Sequence, residues 1–317
     1  MSLLPSPAPR LAAVVVLLAS PLLAAPPSFE LEPQLPREVA DPARFRGPGL
    51  IVGDGQPGLI ALTFDDGPKA ETTPGILAEL ARQGVTATFF VNADRLGGRR
   101  EGGLRQRALL QQAVAAGHTI GNHTLSHQRL SDLPPTAQER EIVDGEVGIA
   151  KVIGERPYLF RPPFGRLAPA ASAILRRRGY TTVLWNISSE DPFIRQADQV
   201  VAQVMTELRR EGGGVVLFHD THPWTVEALP RFFAALQEEN CRRVQRREAP
   251  LLVVPLDRFL RSRYSVRSAS AATALADADE ATRRRIAASC NDGRGPESTE
   301  AHLAPGPRVD VNKATLR

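Results

Sequence analysis

Asp65 and Asp66 are adjacent carboxylates at the end of a short apolar run, Leu59 to Phe64, and Gly67-Pro68 stops that run immediately. A strand that is apolar on both faces belongs in a parallel sheet, and in parallel α/β architectures the carboxyl ends of strands carry the chemistry. Neighbouring side chains on a strand point in different directions, so one carboxylate can hold a metal while the other takes a proton. His123 and His127 stand four residues apart in Gly121-Asn122-His123-Thr124-Leu125-Ser126-His127, a spacing that puts both imidazoles on one face of a helical turn. Two histidines and a carboxylate can hold one face of a divalent ion and leave the other open to water and substrate, as a catalytic site requires. Taken singly, Asp-Gly-Pro is turn chemistry and an isolated histidine is a core or surface residue; together they point to a metal. Arg161, in Arg161-Pro162-Pro163-Phe164-Gly165, keeps its charge under working conditions and could brace Asp65 as an oriented anion. His219 ends another apolar strand, Val215 to Phe218, and with an ordinary pKa of about 6.5 suits a general acid. His118 and His222 read as structural or peripheral.

The elements needed to hold these residues alternate regularly. The patterning predicts strands near Leu59–Phe64, Val85–Val91, His118–Asn122, Tyr158–Phe160, Thr181–Trp185, Val215–Phe218 and Leu251–Val254. Helices are predicted between them over Thr72–Gln83, Leu104–Ala116, Thr136–Gly154, Pro169–Arg178, Ala197–Arg210 and Thr225–Glu238. About seven βα units in a single α/β domain imply a closed or nearly closed barrel, and an open doubly wound sheet lacks its glycine-rich phosphate fingerprint here.

The domain is expected over 58–260 of the 317 residues. Before it, Arg10 and the apolar run Leu11 to Ala19 lead into small residues through Ala25, the layout of a secretory signal over 1–25; residues 26–57 read as an extended, Pro/Gly-rich leader. Export follows, to the periplasm, the cell envelope or the extracellular space. The run is short for a membrane span, so no stable span is expected. Residues 261–317 turn to Ala, Arg, Ser and Asp and read as a low-order tail, with a short helix near Ala276–Ala288. The two cysteines, Cys241 and Cys290, are either bridged in an oxidising compartment or free thiols. The net charge of +4 comes from scattered arginines, and with aromatics at 5% it makes no nucleic-acid site, although it suits an anionic wall polymer.

Thr63-Phe64-Asp65-Asp66-Gly67-Pro68, His123-Thr124-Leu125-Ser126-His127, Arg161 to Gly165 and Leu217-Phe218-His219-Asp220, in this order and at these intervals, resemble the polysaccharide deacetylases of carbohydrate esterase family 4, the NodB homology domain. The resemblance covers roughly Leu59 to Leu260. It implies a distorted (β/α) barrel and one divalent metal, usually zinc and in some members cobalt or nickel. By analogy Asp66, His123 and His127 hold the metal, Asp65 is the base, His219 the acid and Arg161 the brace of Asp65. The N–H of Phe164 would face the oxyanion, and Leu217 would line the pocket for the acetyl methyl. The reaction implied is hydrolysis of N-acetyl groups on amino-sugar units of a polysaccharide such as peptidoglycan or a chitin-like glycan, releasing acetate.

One motif departs from the family. Where relatives carry Asp-x-x-Asp-Trp, with the first Asp bracing the acid histidine, this chain has Ser188-Ser189-Glu190-Asp191-Pro192. Ser188 then stands in place of the bracing carboxylate and Pro192 in place of an aromatic wall. Unless Asp191 or Asp220 supplies the charge, His219 should hold its proton over a narrow pH range. Two rival readings use the same residues: an O-acetyl esterase of the xylan type, and a carbohydrate-binding pseudoenzyme. A two-histidine iron oxygenase leaves the Asp pair unexplained.

Overall fold

The computed structural model describes residues 50–51, 58–97, 101–264 and 269–291. The expected signal segment and most of the leader lie outside them, except Leu50–Ile51, which forms β1. Three strands follow with their helices: β2 (Leu59–Asp65), α1 (Thr73–Gln83), β3 (Thr88–Val91), α2 (Glu101–Ala115), β4 (Thr119–Asn122) and α3 (Pro135–Ile153). The second half comprises β5 (Leu159–Phe160), α4 (Pro169–Arg177), β6 (Thr181–Val183), β7 (Ile187–Ser188), α5 (Ala197–Glu211), β8 (Gly214–His219), α6 (Pro223–Gln245), β9 (Leu252–Val253), α7 (Leu256–Tyr264) and α8 (Ala269–Asn291). Prolines in the first turns of α1, α3, α4 and α6 and left-handed Gly84, Gly154 and Gly212 after α1, α3 and α5 set the boundaries.

All strand pairs are parallel, and β2 to β8 lie in the order β6-β5-β4-β3-β2-β8-β7, with β1 outside β6 and β9 beside the start of β2. The expected barrel is therefore an incomplete one. It is open between β6 and β7, which follow one another in the chain with no ladder between them among the described residues.

Strand parity decides what faces the barrel interior. Ile60, Leu62 and Phe64 of β2, with Val216 and Phe218 of β8, join the layer beneath α1, α5 and α6. There Phe64 stacks between Phe89 and Phe218 at 5.2 and 5.6 Å, contacts worth about 0.5–1.5 kcal/mol each beyond area burial. Leu59, Ala61, Phe90, Leu159, Val183 and Val215 face the other way and pack with Leu256, Phe259 and Leu260 of α7 and Ile286 of α8. The inward positions next in register, towards the carboxyl ends, are Thr63, Asp65, Leu217 and His219. The chemistry-bearing residues thus continue the face whose lower half is core.

The chain beyond 260 differs from the expected tail. α8 is a 23-residue helix, longer than the short one expected, and it packs on α6 and β9 with Ile286 buried. Cys241 of α6 and Cys290 of α8 form a disulfide with Cα atoms 5.3 Å apart, which resolves the two cysteine readings in favour of the bridge.

Candidate active site and metal centre

The carboxyl ends of β2, β4, β5 and β8 deliver one residue set to one rim. Asp66 follows β2 with φ 76°, and its Oδ1 lies 3.5 Å from His123 Nε2 and 3.2 Å from His127 Nε2. One ligand atom from each of the three lies within 4.8 Å of the others. Gly67 is required beside them, because a Cβ there would stand 2.0 Å from the Asp220 carboxylate. Asn92 Nδ2 donates to Asp66 Oδ1 at 3.3 Å. Burial raises the Asp66 carboxyl, but the imidazoles of His123, His127 and His219 and the Asn92 amide outweigh it, so Asp66 lies below its ordinary value. Burial pushes His127 down, which favours the neutral, metal-ligating imidazole.

The two histidines do not share a helical turn. They sit in a loop in which Thr124 and His127 have φ of 74° and 60°. Tertiary bonds hold this loop. Asn122 Oδ1 accepts from Thr124 N–H, while Glu141 of α3 accepts from both the N–H and the hydroxyl of Ser126 at 2.9 and 2.7 Å. The buried His123 donates Nδ1–H to the Arg161 carbonyl at 2.7 Å, leaving Nε2 as the free lone pair. An acceptor-only carboxylate beside two imidazoles, one with its tautomer fixed from behind, fits a divalent cation.

Arg161 is fully buried beside Asp65. It donates NH1–H to Asp65 Oδ1 at 2.7 Å and to Thr63 Oγ1 at 2.8 Å, and reaches the Val183 and Leu184 carbonyls at the open seam. Its guanidinium lies 4.1 Å from the Phe90 ring centroid. The other Asp65 oxygen, Oδ2, is 3.7 Å from His123 Nε2, facing the cluster.

At the opposite wall His219 donates Nδ1–H to Asp191 Oδ1 at 2.6 Å, and its backbone N–H goes to Asp191 Oδ2 at 2.8 Å. Asp191 is fully buried and also accepts from the Thr225 hydroxyl. The brace expected to be missing at Ser188 is supplied three residues later. Ser188 Oγ instead accepts from Glu190 N–H and Ser189 Oγ from Asp191 N–H, two short turns that fold the chain back after β7. Burial alone would lower the His219 pKa, but the Asp191 hydrogen bond and charge, with Asp65 and Asp66 beyond, push it up to about 9. Trp224 donates its indole N–H to the Asp191 carbonyl and stacks on His222 at 4.8 Å.

Phe164 has φ 59°, its ring is half exposed against His127 at 4.8 Å, and its N–H is engaged by no hydrogen bond among the described residues. Leu217 is buried two residues before His219 on the inward face of β8. His118 is structural: Nδ1 accepts from Ala87 N–H, and burial pushes its pKa down to about 4. Asn92, Glu141 and Thr225 carry no sequence signal for their roles, whereas Thr63 could have been found from its parity with Asp65.

Known polysaccharide deacetylases resemble this chain. The polysaccharide deacetylase family profile matches residues 53–183. A peptidoglycan-N-acetylglucosamine deacetylase of Bacillus cereus is 34% identical over 189 residues, 58% of this chain and 84% of that protein. The Listeria monocytogenes peptidoglycan-N-acetylglucosamine deacetylase PgdA is 29% identical over 57% of this chain, which spans 36% of that longer protein. Among solved structures, the Bc1960 peptidoglycan N-acetylglucosamine deacetylase aligns with a TM-score of 0.54 at 26% identity, covering 60% of this chain and 87% of that one. The chain belongs to the polysaccharide deacetylase family, carbohydrate esterase family 4. It is an enzyme of the class that hydrolyses carbon–nitrogen bonds other than peptide bonds.

Proposed function

We propose that this enzyme removes N-acetyl groups from the amino-sugar units of a polysaccharide, with one divalent metal at Asp66, His123 and His127, and releases acetate. The observation that carries the reading is the convergence on one rim of that triad, a braced carboxylate at Asp65 and a carboxylate-backed imidazole at His219. A cation held by the triad would supply Lewis acidity and lower the pKa of a water molecule far below its bulk value. Asp65, with Oδ1 occupied by Arg161, takes the proton of the attacking water on Oδ2. Phe164 N–H donates to the acetamide oxygen as it gains negative charge, and Leu217 lines the space for the methyl group. His219 enters protonated. With Nδ1–H held by Asp191, it offers Nε2–H to the nitrogen, so that the C–N bond breaks to give acetate and a free amine.

Two imidazoles and one carboxylate favour zinc, with cobalt or nickel able to take the same donors. Relatives named for peptidoglycan and chitin deacetylation support an acetylated amino-sugar polymer as substrate. The leader sequence supports export to the envelope or beyond, and no helix among the described residues is long and apolar enough to cross a membrane. The retained base and acid argue against a pure binding role. The deciding experiment is metal analysis beside acetate release from peptidoglycan, chitin oligomers and acetylated xylan. Acetate from an amino-sugar polymer, abolished by a chelator and restored by metal, is expected. Release from xylan alone would assign an O-acetyl esterase, and none from any substrate at full metal occupancy would sink the enzymatic reading.

A further inference from the structure

The rim outside the reaction centre carries cations that the protein leaves almost uncompensated. Arg129, two residues beyond His127, lays its guanidinium over the Phe164 ring with 4.6 Å between carbon and centroid. That ring leans on His127. Arg129, Phe164 and His127 therefore form a stack from solvent to a proposed metal ligand. The one ion pair of Arg129 among the described residues is with Asp132 at 3.8 Å, where the carboxylate side chain is 69% exposed, a pairing that contributes little. Arg166, beside the same loop, is exposed and makes no ion pair among the described residues. Arg195, across the rim and also exposed, lies 5.7 Å over Trp224 and likewise has no acidic partner among them.

Resting on the deacetylase reading above, we infer that Arg129 is a specificity-determining residue that reads a carboxylate on the acetylated glycan, on or attached to a sugar near the one being deacetylated. A neutral acetamido-sugar polymer offers these cations no counter-charge; a polymer with acidic substituents does. Arg129 is the best prepared of the three. Phe164 holds its guanidinium plane in place, so little rotamer freedom is lost when the outer N–H edge takes a carboxylate in a two-point contact. The planar fork meets a carboxylate with two parallel N–H···O bonds.

The test compares peptidoglycan disaccharide–peptide fragments whose carboxylates are free with the same fragments after amidation, by calorimetric binding and by KM and kcat. The full chain would be used as wild type, Arg129→Gln and Arg129→Lys. Wild type should bind the free acid about tenfold more tightly than the amide. Arg129→Gln should bring that ratio close to one, and Arg129→Lys should keep part of it. An equal preference for both forms in wild type, or an undiminished ratio in Arg129→Gln, overturns the inference. Absence of acetate release from every fragment would remove the reaction proposed above, while the binding ratio would still decide the role of Arg129.

Discussion

Replacing Asp191 by Asn removes the charge that holds the proton on His219 and changes little else in volume. The wild-type imidazole titrates at about 9 because the Asp191 hydrogen bond and charge more than offset its burial. Without that charge, burial remains and the pKa should fall to about 6.5 or below. At pH 8 an imidazole of pKa about 9 is roughly 90% protonated and one of pKa 6.5 about 3%, so acetate release limited by His219 should drop ~30-fold at that pH. Near pH 5.5, where both imidazoles are charged, the deficit should be much smaller. A cation at Asp66 acts on both proteins alike, so the comparison isolates Asp191. The assay is the pH profile of kcat for acetate release, with metal content measured alongside. A folded-state pKa raised above the unfolded one stabilises fully below about 6.5 and loses that contribution as pH rises through about 9. Wild type should therefore lose melting temperature between pH 6 and pH 10 more steeply than the variant does. Ser188→Asp should leave the basic limb in place, because the brace is already present. Coincident basic limbs for wild type and Asp191→Asn would refute this account of the acid.

Asp66→Ala, His123→Ala and His127→Ala should each lose bound metal, while Asp65→Asn keeps it and loses turnover; a metal-free Asp65→Asn or an active His127→Ala overturns the assignment. Glu141→Ala frees the loop that carries both histidines and should weaken metal binding about 10–100-fold in a chelator competition, with no change if the loop is rigid by itself. Alkylation of unreduced, natively exported protein should label neither Cys241 nor Cys290, and the paired Cys→Ser variant should lose about 2–5 kcal/mol in denaturant titration; two labelled thiols would refute the bridge.

Strand parity was legible because it needs only a period of two. Once Leu59, Ala61 and Val215 are core, Thr63, Asp65 and His219 must share their face. Which of Asp191 and Asp220 braces His219 was not legible. β7 is only two residues long, and the two turns that return Asp191 to the acid are closed by Ser188 and Ser189 hydroxyls, which have no periodic signature. α8 was hidden for a different reason: its Ala, Arg and Asp composition reads as solvated, while its attachment rests on Ile286, one disulfide and polar contacts of Asp279 with Arg258, of Arg283 with the Pro250 carbonyl and of Ser289 with Gln237 rather than on an apolar stripe.

The helical turn expected at His123–His127 failed for a reason that bears on the whole site. Ligand atoms from two different loops must converge within 4.8 Å, and extended loops leaving parallel strands diverge instead. The chain turns them inward with left-handed residues: Asp66 at φ 76°, Thr124 at 74°, His127 at 60°, Phe164 at 59° and Glu190 at 53°, after β2, β4, β5 and β7. Such a conformation costs on the order of 1–3 kcal/mol for a residue other than glycine, and for β-branched Thr124 it is a true outlier. Each of the two histidine-loop outliers has a bond that opposes the strain. Thr124 N–H donates to Asn122, and His127 N–H to the Thr124 hydroxyl. Asn122 in turn donates to the Ile142 carbonyl, and Glu141 takes Ser126, so consecutive residues of α3 hold the loop against the barrel. The ligand geometry is therefore a property of α3 as much as of the histidine motif, and a local reading of five residues could not have contained it.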